Sequence, residues 1–578
     1  MQLTLHARLP AEDAAQRVLY ASPDQGAGTL GDASLSAAIF PGGHFRSEPS
    51  VLRRLAHLDK QPARPGLLEF LRHENAFAPL APEQRSNLDA AGSRHAVFML
   101  TGQQPGLLGG PILWYYKALT CAALAREWSV RLSRPVIPIF WVAGDDADLN
   151  ECNHLDLLDK RAADVRGDLR LEFPDAHRTL AMGERRVDPD GLEDLFKRLG
   201  KIWDADIIDP LRRAYPVPST LCSGFLRLAQ SLLGREGILF VDGYSKNLRA
   251  LARPVLETAA ADWEGWQDAL LKGTASALAA GIPTQVELRP GVVHAFALRN
   301  GERHRLFAES GAEKNAAGKN GAADQGALDS GGVEDGKAGL SAGILYTPDR
   351  PNHDLRADLS GMELTHDVFS RPLAADAIFP VLGHVLGPAE LRYFAQLAPL
   401  FLRVTGDMPL LQPRMSAVLA PRDAFETFLS EGMDLTEVMR FGPSALRARL
   451  TERVWRSHPA SSLLTPGPGE KWLESLRKQH TRHFKDMGPL ERFEKTLHAS
   501  WKRYLRGLER SAYASTAWNK QILFDQLRWL GNGMGQDRHM GLGTLLQEIG
   551  REGFAKLREL VDPVSTELQV IKYGNVVG

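Results

Sequence analysis

Cysteine is nearly absent: Cys121, Cys152 and Cys222 are the three in a chain of 578 residues. An odd, sparse set with no CxxC argues against a disulfide scaffold and suits a reducing cytosol. Excess charge is missing too. The 69 Lys and Arg against 70 Asp and Glu leave a formal net charge of −1, which gives no reason to expect nucleic acid or an anionic membrane as partner. No apolar run reaches the roughly 18–20 residues needed to cross a bilayer. The opening MQLTLHARLPAED lacks the basic start and apolar core of a secretion signal, so the expected location is cytoplasmic. No Walker A loop and no G-x-G-x-x-G occur. With 44% hydrophobic and 24% charged residues, the chain is that of a soluble globular protein, long enough for two or three structural units.

The most informative stretch present runs from His95 to His154. Two buried-strand patterns, His95–Leu100 and Val136–Val142, flank a Gly-rich loop and an apolar helix. That order is the strand–loop–helix–strand grammar of a parallel α/β sheet, whose ligands sit beyond the C-terminal strand ends. Gly102, Gly106, Gly109 and Gly110 let the backbone turn tightly and approach a ligand closely. Pro111 is placed as the first helical residue, so free N–H groups there could face a phosphate or carboxylate. The second strand delivers Asp145, Asp146 and Asp148 to the same rim, with Asn153 and His154 close behind. Carboxylates near one another can raise one proton affinity and supply a general base, bind Mg²⁺, or hold a substrate ammonium. A helix cap is the plainer role for at least one of them. Lys117, two turns into the helix, either reaches an anionic group or snorkels to the surface. Cys152 within this motif reads as a small residue beside the site rather than a nucleophile, and Cys121 and Cys222 read as core.

Elsewhere the periodicity marks further parts. Residues before about Ser93 read as a wrap onto the first sheet unit. GDLRLEFP (Gly167–Pro174) and RTLAMGERRVD (Arg178–Asp188) fit a small sheet insertion. Leu195–Leu233 is mostly helical, Gly237–Asp242 is another buried strand, and Lys246–Ala280 a long amphipathic helical stretch. PTQVEL, VVHAFAL and ERHRLF then read as a meander of hairpins, with Asn300-Gly301 as its strongest turn signal. Ser310–Gly343 holds almost no large apolar residue and is expected to be a disordered loop. Beyond about Asp423 the chain turns helical and charged. Leu490, Phe493, Leu497, Trp501, Tyr504 and Leu508 recur at spacings of three and four, either a coiled-coil-like arm or an ordinary amphipathic helix. His480 and His483 share a helix face there, but a charged helix face is usually solvated and no metal site is expected.

Several long segments, kept in order, resemble one family. TGQQPGLLGGP (Thr101–Pro111) and FWVAGDDADLNECNH (Phe140–His154) look like the core of the BshC proteins, which are proposed to add cysteine to glucosaminyl-malate in bacillithiol synthesis. FSRPLAADAIFPVLGHVLGPAELRYFAQL (Phe369–Leu397) and MPLLQPRMSAVL (Met408–Leu419) resemble further segments of that family, and Gln536-Asp537-Arg538 its Gln-Glu-Arg element. Ala147 departs from the pattern, standing where the family carries His, so no proton-transfer role carries over to that position. The resemblance implies an α/β fold: a Rossmann-like parallel sheet core with small insertions plus a C-terminal helical coiled-coil arm. The expected boundaries are residues 1–422 for the core, with insertions at about 155–235 and 281–345, then 423–535 for the helical region. Residues 536–578 are expected to pack back on the core.

The implied activity is a cysteine ligase joining L-cysteine to glucosaminyl-malate, with both small molecules as partners and a homodimer formed through the arm. A free carboxylate needs activation before it forms an amide, which implies ATP and Mg²⁺ by chemistry and fold analogy; no tightly bound organic cofactor is expected. Gln103 and Gln104 carry both donors and acceptors and suit sugar hydroxyls or the nascent amide. Arg371 and Arg414, each beside a proline in a family-like segment, are counter-charges for substrate carboxylates, accompanied by His384, Gly387 and Glu390; pairing with a structural carboxylate is the alternative. Tyr393 reads as core. A nucleotidyl- or acyl-transferase with another amine and acid, or a non-catalytic cysteine- or thiol-binding scaffold, remains open.

Overall fold

The computed structural model describes residues 2–9, 14–19, 32–157, 167–309, 344–346, 359–421, 456, 469–483, 485–514 and 540–574. In chain order its strands are β1 (Gln2–Leu9), β2 (Val97–Gln103), β3 (Val136–Val142), β4 (His154–Leu157), β5 (Gly167–Arg170), β6 (Leu239–Asp242) and β7 (Val292–Arg299). They continue with β8 (Glu302–Glu309), β9 (Ile344–Tyr346), β10 (Glu363–His366), β11 (Val381–Leu386), β12 (Leu410–Pro413), β13 (Ser416–Pro421) and β14 (Leu568–Gly574).

The central sheet has the order β12-β11-β2-β3-β6 and is parallel throughout. Its strands are apolar runs because both faces are covered. Along β2, Phe98 and Leu100 share a core with Leu248, Ala252 and Leu256 of the Lys246–Ala261 helix. Val97 and Met99 point the other way, toward Leu124, Ala125 and Trp128 of the Leu113–Leu132 helix. From β2 the chain proceeds to β3 and β6 on one side, while β11 and β12 add on the other. The strand order therefore reverses between β2 and β11, where a crevice opens beyond the strand ends.

Three smaller sheets flank this core. β10-β7-β8-β9 is antiparallel, its β7–β8 hairpin closed by Asn300 (φ 48°) and Gly301 (φ 78°) as the Asn-Gly signal implies. β4 and β5 form a two-stranded insertion. β1-β14-β13 joins the two ends of the described chain.

Four expectations need correction. PTQVEL forms no strand: Val286 and Leu288 pack onto another core, and Gln396 Nε2 donates to Val286 O. The other neighbour of β7 is instead β10, far along the chain. RTLAMGERRVD is a series of turns, because its Met182 and Gly183 N–H groups donate to Asp146 O and Gly144 O rather than to a partner strand. Lys246–Ala280 is two helices, Lys246–Ala261 and Trp263–Ala279, broken at Asp262. The helix after the Gly-rich loop starts at Leu113, not Pro111. Pro111 forms a β-bridge with Gly541, and Ile112 N–H donates to Met540 O, so a long-range clamp takes the groups a free helix start would offer.

In the C-terminal half, the Gly469–His483 and Gly488–Ala514 helices pack together through Trp472 on Phe493 and Arg477 on Glu494. Leu490 is buried, whereas Phe493, Trp501 and Tyr504 are exposed. Ser310–Gly343 and Gln536-Asp537-Arg538 lie outside the described residues. Among those residues no helix is long and apolar enough to cross a membrane.

Candidate active site

A cleft of about 540 Å³ lies at the point where the strand order reverses, a volume within the usual range for small-molecule sites. Its floor is the end of β2. Gly102 is required there, since a Cβ would stand 2.5 Å from Trp141 O on β3. Gln103 and Gln104 follow on the rim.

The loop after β3 carries Asp145 and Asp146, whose surroundings differ sharply. Asp146 folds over its own backbone, accepting from Ala147 N–H at 2.7 Å as Asp commonly does in turns. Its other oxygen accepts from Gln104 Nε2 at 2.8 Å, and Arg303 Nη1 lies 3.2 Å from the first. Asp145 is 2% exposed. Thr365 Oγ1 donates to its Oδ2 at 2.9 Å, and His366 Nδ1 stands 3.0 Å from the same oxygen. Burial alone would raise this carboxyl, but His366, with Arg303 and Arg371 beyond, holds it well below the usual carboxylate range. The expectation of carboxylates raising one another's proton affinity therefore fails at Asp145: its ion-pair partner is an imidazole.

The opposite wall comes from β11 and the Pro388–Val404 helix. Lys117 is 2% exposed, so it does not snorkel. Its Nζ donates to Gly102 O at 2.9 Å and Gln103 Oε1 at 2.8 Å, and pairs with Glu390 Oε2 at 2.6 Å. Glu390 also accepts from Gly387 N–H at the helix start. The three ammonium protons are thus matched by three acceptors, a tie between two strand ends. Arg371 Nη2 donates to the buried Tyr393 hydroxyl at 3.1 Å. Among the described residues no carboxylate lies within ion-pair distance of Arg371, although its guanidinium lines the cleft. Arg414 lines it as well, donating to Met415 O and Ser416 Oγ.

Of the residues singled out from sequence, the cleft thus brings together Gly102, Gln103, Gln104, Lys117, Asp145, Asp146, Arg371, Gly387, Glu390 and Arg414. Others lie away from its lining. Gly109 packs against Leu228 and Leu542, and Gly106 against Gly110. Asp148 is exposed at the start of the short Leu149–Cys152 helix. Asn153 accepts from Arg170 of the β5 insertion, and His154 opens β4. His384 is buried on β11 against Phe394, and burial pushes its imidazole down to about 3, so it stays neutral. Cys152 is also buried, which drives its thiol well above the ordinary value and removes it as a thiolate.

Sequence reading missed His366, Arg303, Arg305, Asp367 and Glu151, all on the cleft wall. Two signals point to them in hindsight. ELTHD ends a short strand in an acidic residue, as FWVAGDD and LFVD do. Arg303 and Arg305 alternate on one face of β8, the face that a half-buried antiparallel strand turns to a ligand.

Comparison with known proteins places the chain. A family model described as "Bacillithiol biosynthesis BshC, N-terminal Rossmann-like domain" matches residues 40–323 and 356–415. The chain is 27% identical over 413 residues to a protein of Shouchella clausii, covering 68% of this chain and 69% of the relative. It is 28% identical over 424 residues to one of Salinibacter ruber, covering 71% of each. It is 27% identical over 380 residues to one of Koribacter versatilis, covering 65% and 64%. Each of these relatives bears the name "Putative cysteine ligase BshC".

Proposed function

This chain belongs to the BshC family of bacillithiol biosynthesis, and from that premise we propose that its cleft joins the carboxyl group of L-cysteine to the amine of glucosaminyl-malate. The observation that carries the reading is the charge layout at the β2–β11 crevice. Arg371 faces the cleft without an ion-pair partner among the described residues, while Asp146 and Glu151 stand across it. A malate carboxylate suits Arg371 with Arg414 beside it, and an ammonium suits the carboxylate side. Gln103 and Gln104, on the rim between, match sugar hydroxyls.

Amide formation from a free carboxylate needs an acyl-adenylate or acyl-phosphate, so the reading includes ATP with Mg²⁺ as co-substrate. Among the described residues no group of three or more His, Cys, Asp or Glu could hold a metal by itself. The donor set therefore suits an ion that arrives on the nucleotide's phosphates, with Glu151 as protein ligand. The reading also places the enzyme in the cytoplasm. It gives the helical pair after Gly469 the role of an arm through which two copies associate, which the exposed Phe493, Trp501 and Tyr504 favour.

The direct check incubates purified protein with cysteine and glucosaminyl-malate, with and without ATP and Mg²⁺, and reads products by mass spectrometry. The condensed thiol, appearing only with nucleotide, is expected. Folded protein that yields none under any condition overturns the substrate assignment; product without nucleotide overturns the activation step. Binding of cysteine without turnover would instead mark a scaffold.

A further inference from the structure

We infer that His366, positioned by Asp145, is the group that takes the proton from the attacking amine in this cleft. The inference rests on the amide-forming reading above for its substrate, but on the dyad's geometry for the residue.

His366 closes β10 and is 2% exposed on the cleft wall. Its Nδ1 stands 3.0 Å from Asp145 Oδ2, whose second donor is the neighbouring Thr365 hydroxyl. An ionised Asp145 can only accept, so Nδ1 must carry the hydrogen and Nε2 of the neutral ring holds a lone pair. That Nε2 is buried and has no hydrogen-bond partner among the described residues. A buried polar atom left unmatched is costly and is common where a site awaits its ligand. Trp141 lies against the ring at 5.2 Å, and Arg303 Nη2 donates to the His366 backbone O at 2.8 Å, so ring face and backbone are each held.

The other titratable groups of the cleft are committed elsewhere. Asp146 serves Gln104 and Arg303, Glu390 serves Lys117 and Gly387 N–H, and Asp367 serves His294 and its own turn. Position 147, in the loop after β3, is alanine and offers no titratable group. Glu151 is the rival base: partial withdrawal of its carboxyl from solvent, with Asp148 and Asp146 nearby, raises its proton affinity.

The step is a proton transfer. An N–H bond of the substrate ammonium breaks, an Nε2–H bond forms, and the electron pair left on nitrogen makes the C–N bond at the activated carboxyl carbon. The phosphate or adenylate leaves with the electron pair of the broken C–O bond and takes up the second proton that the nitrogen sheds on becoming an amide. Asp145 is a positioning residue: it fixes the tautomer and offsets the imidazolium charge that develops 3.0 Å away.

The test uses the full chain as wild type, His366→Gln, Asp145→Asn and Glu151→Gln, each checked for folding by its thermal midpoint. In H366Q, kcat should fall by about 10²–10⁴ with KM for the amine within about threefold of wild type, as expected for a group acting on the reacting atom. The acid limb of the kcat profile should vanish in H366Q, shift in D145N and persist in E151Q. An acid limb lost in E151Q and kept in H366Q overturns the inference. Histidine ¹⁵N spectra of the wild type, with H366Q used for assignment, test the dyad without any substrate. They should show the Nδ1–H tautomer, and its loss in D145N; an Nε2–H tautomer in the wild type overturns the inference. A wild type that makes no product defeats the ligase reading, while the tautomer still decides the dyad.

Discussion

Lys117 shows what a residue in isolation conceals. In sequence it is a lysine on an apolar helix, equally suited to an anionic ligand or to solvent. In the fold its ammonium is enclosed by Gly102 O, Gln103 Oε1 and Glu390 Oε2. Burial pulls its proton affinity down, Glu390 pulls it back up, and Arg414 and Arg371 add to the lowering. Removing one member of such a pair strands the other in low dielectric. Lys117→Met should therefore cost about 3–5 kcal/mol in urea unfolding. Adding Glu390→Gln should recover part of that loss, because the stranded charge is then gone. A single variant within about 0.5 kcal/mol of wild type would show the pair to be solvated and without structural weight. Asp145 makes the same point about chemistry. The motif around it was legible as acidic, but the direction of its proton affinity depends on His366, which reaches it from a strand far along the chain.

Elements were legible where local pattern and tertiary role agree. β3 occupies Val136–Val142 as expected, because a β-branched and aromatic run buried on both faces has little alternative. The β7–β8 turn followed from Asn-Gly for a similar local reason. The Gly-rich loop was misjudged because its partner is not local. Leu542 N–H donates to Gly110 O, and Gly109, at φ 93°, sits where a Cβ would meet Leu542 Cδ2 at 3.1 Å and Leu228 Cδ2 at 3.2 Å. Gly109 and Gly110 thus pack the Leu542–Leu560 helix, while Gly102 stays on the cleft floor. Gly109→Ala should then cost about 1–3 kcal/mol from backbone strain alone, and should speed amide exchange in the Leu542–Leu560 helix ahead of β2 and β3. Loss of stability with uniform exchange would refute the clamp, and an unchanged thermal midpoint would show the loop to be pliable.

At the scale of the molecule, position in the chain is a poor guide to position in space. The cleft draws Gln104 and Asp146 from one motif, but Arg303 from β8, His366 from β10 and Arg414 from the turn after β12. Long-range pairing of this kind leaves no local trace in hydrophobic period, so the β7–β8 hairpin was recognisable while its contribution to the cleft was not. The chain ends behave alike. β14 lies between β1 and β13, pairing with both, and its Leu568, Val570, Ile571 and Tyr573 are buried. Val570 and Ile571 are wholly enclosed, with Ile571 and Tyr573 in the same core as Trp114 and Phe140 beside the central sheet. A large apolar side chain removed from a core costs about 2–5 kcal/mol, and a native state is stable by only about 5–15 kcal/mol in all. Four such groups and the only strand joining β1 to β13 among the described residues amount to most of that margin. Deleting residues 562–578 should therefore abolish cooperative unfolding, seen as a lost near-ultraviolet dichroism signal and a flat thermal trace. The milder Ile571→Ala should keep the transition and lower its midpoint. A truncated chain that melts like the full one would mean that β14 is an ornament on the core rather than part of it.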